Sequence, residues 1–161
     1  MDFEKRLERA IERGQRTGDR RAQEAAQSAL TEEDYRRLHS QYRLELSEHI
    51  ERCLSKLPGH FPGFMIESVV GDRGWGAIVS RDDLSLGNKH QRQNQFSRLE
   101  MVIRPFSSYH VLELAAKGTI RNKEVFNRTH FQRLSEADVT TFREMIDLWV
   151  LEYAEIYASA R

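Results

Sequence analysis

Pro58-Gly59-His60-Phe61-Pro62-Gly63-Phe64-Met65-Ile66-Glu67-Ser68-Val69-Val70 is the stretch at which the periodicity of the chain changes. Upstream, no glycine or proline interrupts residues 19–57, and Tyr35, Leu38, Tyr42, Leu46, His49, Ile50, Cys53 and Leu57 recur at three- and four-residue steps. Those steps draw one face of an α-helix of about seven turns, expected over residues 31–57. Downstream the apolar residues alternate. Phe64, Ile66 and Val70 begin the pattern, followed by Trp75, Ala77 and Val79, then Leu99, Met101 and Ile103, then His110, Leu112 and Leu114. A period of two is the signature of a strand with one buried face. A fifth strand is expected from Thr119 to about Asn127, entered through Gly118, with Lys123-Glu124-Val125-Phe126 breaking the alternation as a bulge does. Short turns at Gly71-Asp72-Arg73-Gly74 and Pro105-Phe106-Ser107-Ser108 leave no room for a crossover helix, so the strands should follow one another as an antiparallel meander.

The helical period returns near the end. Leu134-Ser135-Glu136-Ala137-Asp138-Val139 repeats the pattern of Leu30-Thr31-Glu32-Glu33-Asp34-Tyr35 at every position but the fourth. In each, a hydroxyl residue stands three positions before a carboxylate, and the two apolar residues are spaced as a hydrophobic staple. Val139, Phe142, Ile146, Trp149, Tyr153 and Ile156 then predict a helix over 135–159 with a broad apolar face. The expected class is α+β: an antiparallel four- or five-stranded meander sheet over 62–127, flanked by N-terminal helices and a long C-terminal helix. Residues 31–161 read as one domain, and residues 1–30 as a helical arm. The inner face of that arm would carry Phe3, Leu7 and Ile11 and then only Gly14, Gly18, Ala22, Ala25 and Ala29, a face that buries little: it could pack closely on a neighbouring helix through Gly14 and Gly18, stand out as an arm stabilised by another subunit, or break near Thr17-Gly18-Asp19. Residues 81–95 read as a long polar connection.

Composition narrows the function classes. The chain has 161 residues, with Lys plus Arg matched by Asp plus Glu at 25 each. Zero net charge excludes a globally basic nucleic-acid binder. The balance is uneven along the chain: 11 basic and 7 acidic residues in 58–134, against 2 and 6 in 135–161. A single cysteine builds no internal disulfide or zinc ribbon, which favours a reducing, cytoplasmic setting. The start of the chain has no apolar core of a signal peptide, and no run of about 18 apolar residues could span a bilayer.

Catalytic motifs are few. Gly71-Asp72-Arg73-Gly74-Trp75-Gly76 lacks the Gly-Lys-Ser/Thr of a phosphate loop and joins two strands, so it reads as a hairpin turn. The six histidines never stand at metal-ligand spacing, and the nearest pairing, Glu45 with His49, lacks a third ligand; no metal and no cofactor is expected. Cys53 falls on the apolar helix stripe and reads as a small buried residue. No Gly-x-Ser-x-Gly elbow is present, and Ser107, Ser108 and His110 are close in sequence without implied alignment. The balance is against an enzyme, with a site assembled from scattered residues as the alternative. The remaining candidate surface is the sheet face opposite the apolar alternation, where Arg98, Arg104, Tyr109, Glu113, Arg121 and Lys123 would join Glu100, with His110 beside them. Such a platform could stack a base and meet phosphates, aided by Lys89 and Arg92, yet Glu100 and Glu113 favour cross-strand ion pairs instead. The element order is similar to that of double-stranded RNA-binding domains, but the last helix opens Ser135-Glu136-Ala137-Asp138 without their lysines, which counts against that family. The expected function is therefore a small binding or assembly module that self-associates or meets a protein partner, with single-stranded nucleic-acid or anionic-ligand binding as the alternative.

Overall fold

The computed structural model describes residues 2–28, 30–86 and 92–160. The chain divides into two compact units, Met1–Asp34 and Tyr35–Arg161. Helices α1 (Phe3–Ser28), α2 (Glu32–Leu54) and the one-turn α3 (Leu57–His60) precede five strands: β1 (Met65–Gly71), β2 (Gly74–Leu86), β3 (Arg92–Ile103), β4 (Val111–Ile120) and β5 (Lys123–Arg133). A 3-10 turn at Leu134–Glu136 leads into α4 (Val139–Ser159). The strands form one antiparallel sheet in the order β1-β2-β3-β4-β5, a meander. The class is α+β, as the alternating periods require.

The core lies on one face of this sheet. Ala77, Val79, Leu99, Met101, Ile103, Leu112, Leu114 and Ala116 point into it and meet Leu46, Ile50 and Leu54 of α2 and Phe142, Ile146, Trp149, Val150 and Tyr153 of α4. The Tyr153 hydroxyl donates to the Thr119 carbonyl at 2.8 Å, satisfying its polar end inside the core. Along α2, the His39 Nε2–H donates to the Arg104 carbonyl at 3.0 Å, and the Arg43 guanidinium lies 4.1 Å from the centre of the Trp75 ring. Gly71 and Gly74, with φ of 144° and 128°, pair across the two-residue turn that joins β1 and β2, so the glycine-rich stretch is a hairpin. Gly76 is required for a different reason. A Cβ there would fall 1.9 Å from the Met101 carbonyl oxygen, so only glycine permits β2 and β3 to approach.

Several boundaries differ from the sequence expectation. The helix expected to reach residue 57 ends at Leu54 and resumes as α3, because Pro58 cannot continue it without its ring meeting the carbonyl four residues back. The polar connection 81–95 is largely strand: β2 runs on to Leu86 and β3 starts at Arg92, with register pairs from Arg81↔Ser97 to Leu86↔Arg92. Backbone pairing holds these polar arms together without needing an apolar face. The fifth strand is shifted downstream. Gly118 lies within β4, the turn is Arg121-Asn122, both with positive φ, and β5 spans 123–133. The expected bulge is present, since Gly118 faces Phe126 while Thr119 faces Glu124. Asn122 ties the turn to β3: its backbone N–H donates to the Phe96 carbonyl at 2.8 Å, and the Phe96 N–H donates to its Oδ1 at 2.9 Å.

The two matching helix-start motifs part ways. At the first, the Asp34 N–H donates to Thr31 Oγ1 and the Thr31 N–H donates to Asp34 Oδ2, both at 3.1 Å, a complete capping box. At the second, Ser135 sits in the 3-10 turn and Asp138 is the N-cap, its Oδ1 accepting from the Thr140 N–H at 3.0 Å. Leu134 is buried at the end of β5, Ala137 is extended, and the Asp138 N–H is taken by Gln132 Oε1 at 2.8 Å. The strand end thus commits the backbone before Ser135 can open a helix.

Candidate functional site

The register of β2, β3 and β4 places Arg98, Glu100 and Val102 on the sheet face away from α2 and α4, level with Ser80, Ile78 and Gly76 on one side and Thr119, Lys117 and Ala115 on the other. Glu100, only 13% exposed, accepts from Arg73 Nη2 at 2.7 and 2.8 Å and from Arg98 Nη2 at 3.0 Å. One carboxylate therefore engages two guanidinium groups, and the middle of this face is an ion-pair cluster. Arg104 and Glu113 lie at its edge, where the Arg104 N–H donates to the Glu113 carbonyl at 2.9 Å. With Tyr109 (84% exposed) and Phe131 (64% exposed) they line a shallow hollow that also reaches Asp72.

The structure thus brings together Arg104, Tyr109 and Glu113, and sets Arg98 further along the same face. The other three expected residues go elsewhere. His110, with φ of 54°, stacks on Tyr35 of α2 at 4.0 Å between ring centres. Arg121 occupies the β4–β5 turn, its backbone N–H donating to Ser97 Oγ at 3.0 Å. Lys123 pairs with Ile120, whose side chain is buried in the core, so it belongs to the opposite face. A residue lost or gained at a bulge or a left-handed turn reverses which side the chain presents. Lys89 and the side chain of Arg92 lie outside what the structure describes.

A second constellation joins α2 to α4 and was not legible as a site in the sequence. His49 and Cys53 are one turn apart on α2, and Asp147 faces them from α4. The His49 Nε2–H donates to Asp147 Oδ1 at 2.7 Å, and the Cys53 thiol donates to the same oxygen at 3.3 Å. His49 Nε2 and Cys53 Sγ are 3.6 Å apart. Burial, then the hydrogen bond to Asp147 and its charge, push the thiol up to about 11, against a smaller opposing effect of Lys56 and Arg52. Cys53 packs against the core as the apolar stripe requires, but it is only half-buried and its thiol is hydrogen-bonded to a carboxylate. The only signal in the sequence was the i, i+4 spacing of His49 and Cys53, which places both on one helix face; Asp147 is 94 residues away from Cys53.

The first unit offers a surface of another kind. Phe3, Leu7 and Ile11 of α1 are 74%, 45% and 52% exposed, and every residue from 3 to 24 is exposed except Thr17. At 100° per residue, Phe3, Leu7, Ile11, Gly14, Gly18 and Ala22 fall on one stripe. Glu4, Glu8 and Asp19 lie on one side of it and Arg6, Arg13 and Arg20 on the other, while Arg21 falls on the stripe in line with Phe3 and Glu24 on the basic side in line with Arg6. Within the helix, Arg16 pairs with Glu12 at 3.3 Å and Arg20 with Glu24 at 3.9 Å; such exposed i, i+4 pairs contribute about 0.3–0.5 kcal/mol each. A Cβ on Gly14 or Gly18 would meet nothing within 4 Å.

Among the described residues no helix is long and apolar enough to cross a membrane. Comparison with protein-family models, with curated proteins and with solved structures finds no match, so function rests on these residues and their geometry.

Proposed function

We propose that the chain is an assembly module that self-associates through α1, two copies pairing in parallel along the stripe of Phe3, Leu7 and Ile11. The observation that carries this reading is the exposure of that stripe between an acidic and a basic flank. A lone helix in water is marginally stable even at this length, and most helices owe their stability to a packed apolar face. In a parallel pair the acidic flank of each copy faces the basic flank of the other; in an antiparallel pair like flanks meet and repel. The stripe steps by four, four and three, an 11-residue repeat that keeps the seam in line with little or slightly right-handed supercoil. Gly14 and Gly18 let the two backbones approach closely. Three large residues per copy, at about 1.5–3 kcal/mol each, stand against about 4–15 kcal/mol for lost freedom on association, so the pair is weak and concentration-dependent.

The nucleic-acid alternative is disfavoured by Glu100, which holds Arg73 and Arg98 where phosphates would need them. Sedimentation velocity across a concentration series tests the assembly reading: the wild-type chain shifts to a dimer, and Leu7→Asp keeps it monomeric. Phe3→Cys in a Cys53→Ser background should form a symmetric disulfide, because residue 3 of one copy meets residue 3 of the other only in a parallel pair. A strict monomer at all concentrations, or a dimer indifferent to Leu7→Asp, overturns the proposal.

A further inference from the structure

His49, Cys53 and Asp147 are, we propose, a binding site for a divalent transition-metal ion of the zinc type, held between α2 and α4 with one position open to water or an exogenous ligand. Three donor atoms from two helices converge on one point: an imidazole nitrogen, a sulfur and a carboxylate oxygen, all within 4.8 Å of one another. Bond lengths of about 2.0–2.1 Å to nitrogen and oxygen and about 2.3 Å to sulfur, at tetrahedral angles, demand about 3.6 Å between sulfur and nitrogen, about 3.5 Å between sulfur and oxygen and about 3.3 Å between nitrogen and oxygen. The distances present are 3.6, 3.3 and 2.7 Å. The nitrogen–oxygen pair must open by about half an ångström and the sulfur–oxygen pair by about 0.2 Å, within reach of small side-chain rotations.

The donor set selects the ion. A thiolate with an imidazole suits zinc, cobalt or nickel and excludes magnesium and calcium, which take oxygen ligands. Three protein ligands, one of them the half-exposed Asp147, match sites that keep a coordination position free rather than closed structural sites. On binding, the Cys53 thiol loses its proton to solvent and His49 carries its remaining proton on Nδ1, freeing Nε2 for the metal. Arg52, on the exposed side of α2, and Lys56, exposed in the turn before α3, favour the thiolate and can swing away from the cation.

The same three residue types could instead suggest a nucleophilic triad, and the geometry argues against it. In a relay, one ring nitrogen of the histidine faces the nucleophile and the other is held by the acid. Here the single atom Nε2 faces both Cys53 and Asp147, an arrangement that orients nothing for proton transfer and gathers all three ligands around one centre.

The test is titration of the reduced, metal-free full chain with Co2+ alone, followed by displacement with Zn2+. Binding gives a thiolate-to-cobalt charge-transfer band and ligand-field bands of tetrahedral intensity, lost at one equivalent of Zn2+. Cys53→Ser abolishes the charge-transfer band. His49→Gln and Asp147→Asn weaken binding by at least the tenfold to hundredfold, roughly, that loss of a mere outer-shell partner costs, whereas Glu45→Gln leaves it unchanged. Circular dichroism of each metal-free variant checks that the fold survives. The absence of a charge-transfer band in the wild type, which needs no variant to fold, overturns the proposal. So does a band that keeps its affinity in both His49→Gln and Asp147→Asn, since that is binding by a thiol alone.

Discussion

α1 and α4 are both helices with apolar positions at three- and four-residue steps, yet one is bare and the other is the main wall of the core. Along α4 the stripe is Phe142, Ile146, Trp149, Val150 and Tyr153, all buried. Along α1 it starts with Phe3, Leu7 and Ile11, all exposed, and continues through glycine and alanine. Periodicity made both segments helical, but only side-chain volume on the face decides whether a helix can be held by its own domain.

The sharpest test of this contrast is a pair of truncations. Phe142→Ala should cost about 3–5 kcal/mol of unfolding free energy, read by chemical denaturation of dilute protein, while Leu7→Ala should change it by no more than about 0.5 kcal/mol and act on association alone. Equal costs would erase the distinction between the two helices. The next largest effect concerns the helix starts. Asp138→Ala should lose about 1 kcal/mol and Ser135→Ala almost nothing, reversing the order that the motif shared with Thr31 and Asp34 suggests. Tyr153→Phe should cost about 0.5–1.5 kcal/mol, because the hydrogen bond to the Thr119 carbonyl is lost while the ring's packing stays.

The smallest expected effect is one of pH, and it belongs to the covered side of the sheet. Burial holds His39 below its ordinary 6.5, opposed by the hydrogen bond to the Arg104 carbonyl and reinforced by the charge of Arg43. The unfolded chain therefore binds a proton that the folded chain resists. This contribution to stability is complete above pH 6.5 and is lost as pH falls below it toward the depressed folded value. Denaturation curves for wild type and His39→Gln should converge in slope above that pH, and the wild type alone should show this acid-side decline.

Much of the fold was legible because alternation and helical steps are local. The pattern around Leu99, Met101 and Ile103 and around Leu112 and Leu114 assigned the core face, and Lys123-Glu124-Val125-Phe126 carried the bulge. The arms of β2 and β3 were hidden, since polar residues such as Asp82, Asp83, Asn94 and Gln95 become strand through backbone pairing, which leaves no periodic trace. Ser135 resembled Thr31 in every local respect, and the difference came from Leu134 and Gln132 anchoring the end of β5. Of the expected site residues, Arg104, Tyr109 and Glu113 share one hollow, but His110, Arg121 and Lys123 were turned away by positive φ and a shifted register.

By itself the sequence determined the helical and alternating periods, the single antiparallel sheet and the apolar face that α2 and α4 cover, because each depends on spacings within a few residues. Tertiary structure alone decided which groups from distant segments share a point in space. Arg73 and Arg98 meet on Glu100 through a hairpin and a register, and Asp147 reaches His49 and Cys53 because α2 and α4 lie side by side on the sheet. No periodicity encodes such meetings, for they are set by how two faces pack rather than by the order of residues along either one.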